Sequence, residues 1–325
     1  MAELNMVQAV NRALREEMER DDGVILLGED VGREGGVFRV TEGLQQSFGE
    51  ERSIDTPLAE SGIVGCAFGM ALMGLRPVAE LQFMGFLYPA LDQIISHIGR
   101  MRNRSRGAFT APLVIRMPYG GGIHAPEHHS ESTEAMLVHT PGIKVVVPST
   151  PADALGLLKS AIRDPDPVIF LEPKRIYRAI REEVAEGEHL VSLGEARRVR
   201  RGDDLTLVAW GAMVREAEKA ADTLAEDGVS VEILDPRTLS PLDDDTLIAS
   251  VQRTGRCLVV HEAPRACGLG AEISARIMEG ALLSLKAPVG RLTGFDTVMP
   301  LPKAEHYYMP DAASIVREVR GIIDF

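Results

Sequence analysis

The chain has 325 residues, 45% of them hydrophobic, and a mean hydropathy of zero, which is typical of a globular protein with two domains. Its formal net charge of -13 disfavours nucleic-acid binding, because unspecific binding depends on clustered Lys and Arg. No apolar run approaches the roughly 18 residues of a membrane-spanning helix, and the amino terminus does not resemble a secretory signal. We therefore expect a cytoplasmic protein that binds neither nucleic acid nor a membrane.

Short β-branched runs alternate with helical periodicity in the first half of the chain. Nearly continuous apolar strands separated by helices are typical of a parallel sheet that is covered on both faces. The sequence therefore predicts the α/β class, with a doubly wound first domain over residues 1–175. The predicted strands are VILLGE (24–29), PVAEL (77–81), PLVIRM (112–117), IKVVVP (143–148) and PVIFLEP (167–173).

A charged stretch from Lys174 to Asp204 interrupts this pattern, with too few apolar residues for a core. We interpret residues 176–203 as an interdomain linker. Alternation then resumes, which predicts a smaller doubly wound α/β domain over residues 204–325. Its predicted strands are DLTLVAWG, SVEILDP and RCLVVHEA, and its predicted helices run from about Val214 to Asp227, near Asp243 to Arg253, and from about Leu269.

The segment DTPLAESGIVGCAFGMALMGLRPVAELQFMGF (55–86) contains a predicted helix that begins at Glu60 and carries four glycines. Each glycine costs a helix up to about 1 kcal/mol relative to Ala, so we expect close approach of a neighbouring helix or of another subunit. Glu60 would lie at the edge of that apolar interface. Its carboxylate either complements the helix dipole in the first turn or is a functional acid in desolvated surroundings.

The segment MPYGGGIHAPEHHSESTEA (117–135) lies between a predicted strand and a predicted helix, where a mobile active-site loop is expected. Its three histidines raise a metal site as an alternative, but HAPEHH lacks the spacing of a helical zinc motif and Pro126 argues against a helix. The cysteines are odd in number and form no C-x-x-C pair, so we predict neither a disulfide framework nor a zinc knuckle. They are Cys66, Cys257 and Cys267.

The T-P-L-A-E motif followed by a small-residue helix resembles the cofactor-activating segment of the transketolase-like beta subunits of thiamine-diphosphate-dependent 2-oxo acid dehydrogenases. The likeness covers essentially the whole chain, from GGVFRVTEGLQQSFGEERSIDTPLAE to GFDTVMPLPKAEHYYMP. It implies a pyrimidine-binding domain followed by a smaller C-terminal transketolase-like domain. The implied activity is oxidative decarboxylation of pyruvate or a branched-chain 2-oxo acid, with reductive acylation of a lipoyl group.

The resemblance also implies roles for individual residues. In the family, the glutamate at the position of Glu60 hydrogen-bonds the aminopyrimidine ring of thiamine diphosphate and stabilises the tautomer that activates the thiazolium. Leu58, Gln82 and Phe86 match positions that line this ring, although ordinary packing is the alternative for Leu58 and Phe86. His129, directly before a serine, is implied to assist proton transfer near the substrate and the lipoyl arm. The adjacent His128 leaves open which ring points inward.

Family members bind a structural potassium ion at a segment that matches SAIRDPDPVIFLEP (160–173). Such a hard cation is held by carbonyl and carboxylate oxygens. An ordinary D-P turn is the alternative interpretation of this segment. The ligands that the resemblance implies are Leu113, Ala161, Ile162, Asp164 and Asp166.

Enzymes of this cofactor class hold the diphosphate through magnesium, with a G-D-G motif followed by Asn. The sequence lacks that motif, since RGDDLTL has Asp204 in place of the second glycine and runs directly into a predicted strand. The resemblance therefore implies an enzyme that is active only with an alpha subunit, which holds magnesium and shares thiamine diphosphate. The implied assembly is an alpha2-beta2 heterotetramer docked to a dihydrolipoyl acyltransferase core. An acetoin dehydrogenase beta subunit, a noncatalytic assembly subunit and a self-sufficient transketolase-like transferase remain as alternatives.

Overall fold

The computed structural model describes residues 2–325, and its first half places helices around a parallel sheet. The strands of this half are β1 (Ala2–Leu4), β2 (Val24–Gly28), β3 (Ser53–Asp55), β4 (Arg76–Glu80), β5 (Val114–Tyr119), β6 (Lys144–Val146), β7 (Val168–Pro173) and β8 (Glu182–Val184). The helices are α1 (Met6–Arg20), α2 (Leu44–Phe48), α3 (Glu60–Leu72), α4 (Met101–Arg104), α5 (Glu134–Val138) and α6 (Pro151–Arg163). Met84–Ala90 and Lys174–Ile176 form 3-10 helices, and Gln93–Ile98 forms a π-helix.

The second half repeats the alternation of strands and helices on a smaller scale. Its strands are β9 (Arg197–Arg200), β10 (Leu205–Ala209), β11 (Val231–Asp235), β12 (Thr238–Ser240), β13 (Cys257–Pro264) and β14 (Gly290–Gly294). Its helices are α7 (Met213–Glu226), α8 (Asp244–Thr254), α9 (Leu269–Ala281), α10 (Glu305–Tyr308) and α11 (Ala312–Ile323), with a 3-10 helix at Leu282–Ser284. No helix within residues 2–325 is both long and apolar enough to span a membrane.

Two mainly parallel sheets organise the chain, which confirms the predicted α/β class. The first has the strand order β12-β6-β7-β5-β4-β2-β3, and only the pairing of β12 with β6 is antiparallel. The second has the order β14-β13-β10-β11-β9, with β9 antiparallel at its edge. Every residue of β2, β5, β7, β10 and β11 is buried, as expected for strands covered by helices on both faces.

The predicted linker contains regular structure, and the second half of the chain contributes a strand to the first sheet. Strand β8 pairs with β1 of the first half, whereas β9 joins the second sheet, so the predicted linker 176–203 contains two paired strands. Strand β12 of the second half returns to the edge of the first sheet, where Thr238 lies opposite Val146. A three-residue strand has no periodicity to detect, which is why the sequence did not predict this crossing.

Candidate active site

Strands β3, β2 and β4 are parallel neighbours and end at the same edge of the first sheet. The residues that follow them therefore cluster: Glu29 and Asp30 come after β2, and Gln82 comes after β4. The Gln82 side-chain amide donates to Oδ2 of Asp30 over 3.4 Å. Open α/β sheets bind ligands outside the carboxyl ends of their strands, so this edge is the candidate active site.

Glu60 is the first residue of α3, as predicted, and only 9% of its surface is exposed. Its carboxyl group accepts no hydrogen bond from any other group in residues 2–325. Burial raises the pKa of Glu29, and the charges of Glu60 and Asp30 add to the rise, so both carboxylates lie near enough to Glu29 to act on it. A largely buried carboxyl group without an internal partner is available to a ring nitrogen of a ligand, which fits an aminopyrimidine.

The ring of His129 packs against two aromatic rings, one of which is Phe86, a residue that the resemblance assigned to the pyrimidine site. Its centroid lies 4.4 Å from that of Phe83 and 5.1 Å from that of Phe86, which is half-buried. Its Nδ1 lies 2.8 Å from the carbonyl oxygen of Glu127. Because a carbonyl only accepts, Nδ1 carries the proton in this arrangement, and Nε2 is left to exchange a proton with a ligand.

His128 points the other way, which separates the two adjacent histidines. Its Nδ1 lies 3.8 Å from Oε1 of Glu131, and its ring lies 6.4 Å from that of Tyr88. The loop passes so close to the 3-10 helix below it that a Cβ at Gly85 would overlap the carbonyl oxygen of His128. Of the two rings, His129 therefore points inward.

Helix α3 buries only one face within residues 2–325. Its buried apolar residues are Ile63, Val64, Ala67 and Ala71, while a Cβ at Gly69 would meet nothing within 4 Å. Gly65 faces Gln93 of the π-helix, whereas Gly74, predicted inside the helix, follows its end at Leu72. Residues 2–325 therefore do not supply a close neighbour to all four glycines. Leu58 is 78% exposed, which excludes ordinary core packing as its role within the chain.

The residues of the predicted potassium site cluster at the opposite edge of the sheet. Leu113 lies directly before β5, and Asp164 and Asp166 lie just before β7. Lys144 Nζ lies 2.6 Å from Oδ2 of Asp164, and Arg102 Nε lies 2.6 Å from Oδ1 of Asp166.

Backbone carbonyls supply the other oxygens of this cluster. The carbonyl of Ala161 accepts from Asp164 N, that of Leu113 accepts from Val168 N, and that of Ile162 accepts from Arg76 over 2.9 Å. A carbonyl has two lone pairs, so each retains one for a cation. Since basic side chains already neutralise both carboxylates, the cluster suits a monovalent ion better than a divalent one.

The loop between β5 and α5 (120–133) carries His124, His128 and His129, and we call it the histidine loop. A further acid, Glu134, begins α5 directly after this loop and is only 1% exposed. Burial, followed by the charge of Glu262, raises its pKa to about 7, although hydrogen bonds oppose the rise. Its Oε2 has no hydrogen-bond partner among the described residues. The folded chain therefore holds this side chain protonated at pH values where the unfolded chain does not.

Glu134 is expected to make stability depend on pH. Because its folded-state pKa lies above the unfolded value, its contribution to stability is full below about pH 4 and is lost as the pH rises through 7. Glu134→Gln should therefore be more stable than the wild type by about 3 kcal/mol at pH 8 and by less than about 1 kcal/mol at pH 5. Thermal melts at both pH values measure this difference. A difference that did not change with pH would exclude the titration of Glu134 as its cause.

Some residues of the site had no signal in the sequence. Nothing in the sequence distinguishes Phe83 from an ordinary core aromatic, and Glu262 and Glu305, which contact the histidine loop, lie far along the chain. Glu29 follows the apolar run of β2 directly, and that position at a strand end was a usable signal.

No three His, Cys, Asp or Glu side chains converge as a metal site within residues 2–325.

Two family models together match nearly the whole chain. The transketolase pyrimidine-binding domain matches residues 2–195, and the transketolase C-terminal domain matches residues 194–315. The pyruvate dehydrogenase E1 component subunit beta of Bacillus subtilis is 52% identical over 325 residues, which is 100% of both chains. The protein of the same name from Staphylococcus epidermidis is 50% identical over 100% of both chains, and that from Acholeplasma laidlawii is 51% identical over 99% of this chain and 98% of the relative.

Among solved structures, a split gene transketolase, described as an inactive beta4 tetramer, has the same fold. It matches with a TM-score of 0.75 and 22% sequence identity, over 99% of this chain and 98% of its own. The resemblance found in the sequence and the expectation of two transketolase-like domains are thereby confirmed.

Proposed function

Because this chain belongs to the transketolase family, with its pyrimidine-binding and C-terminal domains, we propose that it is the beta subunit of a 2-oxo acid dehydrogenase that acts on pyruvate. The observation that carries the proposal is Glu60, a largely buried carboxyl group without an internal partner at the carboxyl edge of the first sheet. We propose pyruvate as the substrate, and not a branched-chain 2-oxo acid or acetoin, because full-length relatives at 50 to 52% identity carry the name pyruvate dehydrogenase.

The residues of the site fit thiamine diphosphate. When bound, this cofactor supplies a thiazolium that accepts the electrons left behind as carbon dioxide departs. Glu60 shares a proton with a nitrogen of the pyrimidine ring, and Gln82 and Phe86 fix the orientation of that ring. His129, with Nδ1 held on the carbonyl oxygen of Glu127, would give a proton from a protonated Nε2 to the sulfur that leaves when the lipoyl disulfide opens during reductive acylation.

An alpha subunit would complete this site and hold magnesium with the diphosphate. Three features support the partner: the sequence lacks a G-D-G motif, the glycine face of α3 is open, and Leu58 is exposed beside Glu60. A cavity of about 1320 Å³ in the first domain offers a cationic surface to a partner, with lining residues that include Arg100, Arg102, Arg104 and Arg106.

We also propose that the C-terminal domain docks to a dihydrolipoyl acyltransferase core. The support is a group of exposed large apolar side chains between β14 and α11. Such clusters on a protein surface mark contacts with partners. The side chains are Phe295, Val298, Leu301 and Tyr307, each more than 60% exposed.

Reconstitution with an alpha subunit, cofactor and magnesium tests the proposed function. Pyruvate should be turned over with a kcat/KM at least about 10-fold above that for 2-oxoisovalerate, since each added methylene is worth about 1 to 3 kcal/mol in an apolar pocket. A preference for 2-oxoisovalerate or acetoin would reassign the substrate. Cofactor binding without turnover of any of the three would favour the noncatalytic assembly subunit, and sugar-phosphate turnover by the chain alone would favour a self-sufficient transferase.

Potassium binding at Leu113, Ala161, Ile162, Asp164 and Asp166 is a separate proposal. It rests on the position of these residues at the starts of β5 and β7 and at the end of α6, where basic side chains already pair with both carboxylates. Saturating potassium chloride should raise the thermal midpoint by about 5 °C over lithium chloride at equal ionic strength, because an ion that binds only the folded state stabilises it. Identical midpoints in the two salts would leave the D-P turn as the sufficient interpretation.

A further inference from the structure

Two acidic side chains of the second domain hold the backbone of the histidine loop in the first. Gly121 N donates to Oε2 of Glu262 over 2.8 Å, and His124 N donates to Oε2 of Glu305 over 2.9 Å. Gly122 N donates to the other oxygen of Glu305. Glu262 lies near the end of β13 and Glu305 begins α10, and both are at most 4% exposed. Three backbone N–H groups within four residues of the loop are therefore tied to two buried carboxylates of the other domain.

The glycines of this loop allow close approach to side chains of other segments. A Cβ at Gly121 would lie 2.8 Å from Cε of Met299 and 2.9 Å from Oε1 of Glu305. At Gly122, where φ is +89°, a Cβ would overlap the side chain of Arg175. Any larger residue would push the loop away from the carboxylates that hold it.

The loop is fixed at further points, and His129 lies between them. Gly120 N donates to the carbonyl oxygen of Glu131 over 3.0 Å, which joins the two ends of the loop. Lys174 Nζ also donates to the carbonyl oxygen of Gly120. Only four residues separate His124, which Glu305 holds, from His129. A shift of the Glu305 anchor is therefore transmitted through a short, closed loop to the imidazole.

We propose that Glu305 is a positioning residue for reductive acylation, which holds the histidine loop so that His129 stays against Phe83 and Phe86 with Nε2 free. Glu262 is the second anchor of the same loop. The inference rests on the proposed function, because it assigns a step to His129. It gives the C-terminal domain a part in the chemistry in addition to assembly and docking.

The alternative is that Glu305 only joins the two domains. Glu305→Gln separates the two roles, because glutamine offers one oxygen where two N–H groups need two, and its NH₂ group opposes the second donor. A matched control is Asp153→Asn. Asp153 is also a buried carboxylate, 5% exposed, and it pairs across the domains with Arg237 at 3.0 Å without contacting the loop.

The first experiment measures reductive acylation of a lipoyl domain by the reconstituted enzyme. We expect Glu305→Gln to lower kcat about 10-fold while KM for the lipoyl domain changes less than about twofold, and Asp153→Asn to leave the wild-type kcat. In a His129→Ala background, Glu305→Gln should cause no further loss, since both changes then remove the same contribution. Full additivity of the two substitutions, or a wild-type kcat for Glu305→Gln, would overturn the inference.

A second measurement does not depend on activity. Hydrogen exchange of the Gly122 and His124 amides in the chain should be at least about 10-fold faster in Glu305→Gln and unchanged in Asp153→Asn. Unchanged exchange in Glu305→Gln would refute the anchor. An inactive wild-type reconstitution would instead refute the proposed function, so the two failures are distinguishable.

Discussion

Replacing Glu60 with alanine should lower 2-oxo acid decarboxylation by the reconstituted enzyme about 1000-fold or more, while the alpha and beta chains still assemble. Proton transfer by a positioned side chain contributes about 10² to 10⁴ to a rate, and Glu60 is the carboxyl group placed to supply it to the cofactor ring. Glu60→Gln keeps the shape and a hydrogen bond but not an acidic proton, so its loss should be of similar size. Steady-state rates with pyruvate, together with size-exclusion chromatography of the assembly, measure both outcomes.

The control for Glu60 is Glu272→Ala. Glu272 is also an acid in the first turn of a helix, α9, but it lies away from the candidate site and pairs with Arg276. Glu272→Ala should lower the free energy of unfolding by at most about 1 kcal/mol and leave the activity unchanged, as expected for a charge that complements a helix dipole. If Glu60→Ala behaved like Glu272→Ala, Glu60 would also be only a dipole complement, and the proposed activation of the cofactor would be wrong.

Replacing Arg116 with leucine should lower the free energy of unfolding by about 3 to 5 kcal/mol. Arg116 is fully buried in β5, where its Nε and one NH₂ group donate to the two oxygens of Glu172 over 2.7 and 2.8 Å. Its other NH₂ group pairs with Glu80 in the neighbouring strand β4. Tyr177 also donates to Glu172. Without the guanidinium, two carboxylates remain buried without a cationic partner, and that desolvation is the source of the loss.

The loss should appear as a fall in the thermal midpoint of about 10 °C and as an earlier transition in urea. The control is Arg102→Leu, which breaks the exposed pair with Asp166 and should cost less than about 1 kcal/mol. Adding Glu80→Gln and Glu172→Gln to Arg116→Leu should restore part of the stability, because the unpaired charges are then gone. A loss under about 1 kcal/mol for Arg116→Leu alone would contradict the buried network.

The pattern of apolar residues was sufficient to predict most of the strands of the first domain. The five strands predicted in the first domain lie within two residues of β2, β4, β5, β6 and β7, because each is a continuous apolar run between helices. The start of α3 at Glu60 was also predicted correctly. The edge strand β12 was not, since a piece of three residues takes its structure from the strand beside it.

The sequence by itself determined the α/β class, the family and the motif that contains Glu60, because these depend on local patterns and on residues close together in the chain. Tertiary structure alone decided which of two adjacent histidines faces Phe86, and it paired Arg116 with carboxylates 36 and 56 residues away. It also brought Glu262 to Gly121 and Glu305 to His124 in the histidine loop, across sequence separations of 141 and 181 residues. The contacts of Arg116 depend on the order of strands within one sheet, and those of Glu262 and Glu305 depend on how the two halves of the chain pack against each other. No local pattern of apolar and polar residues specifies either arrangement.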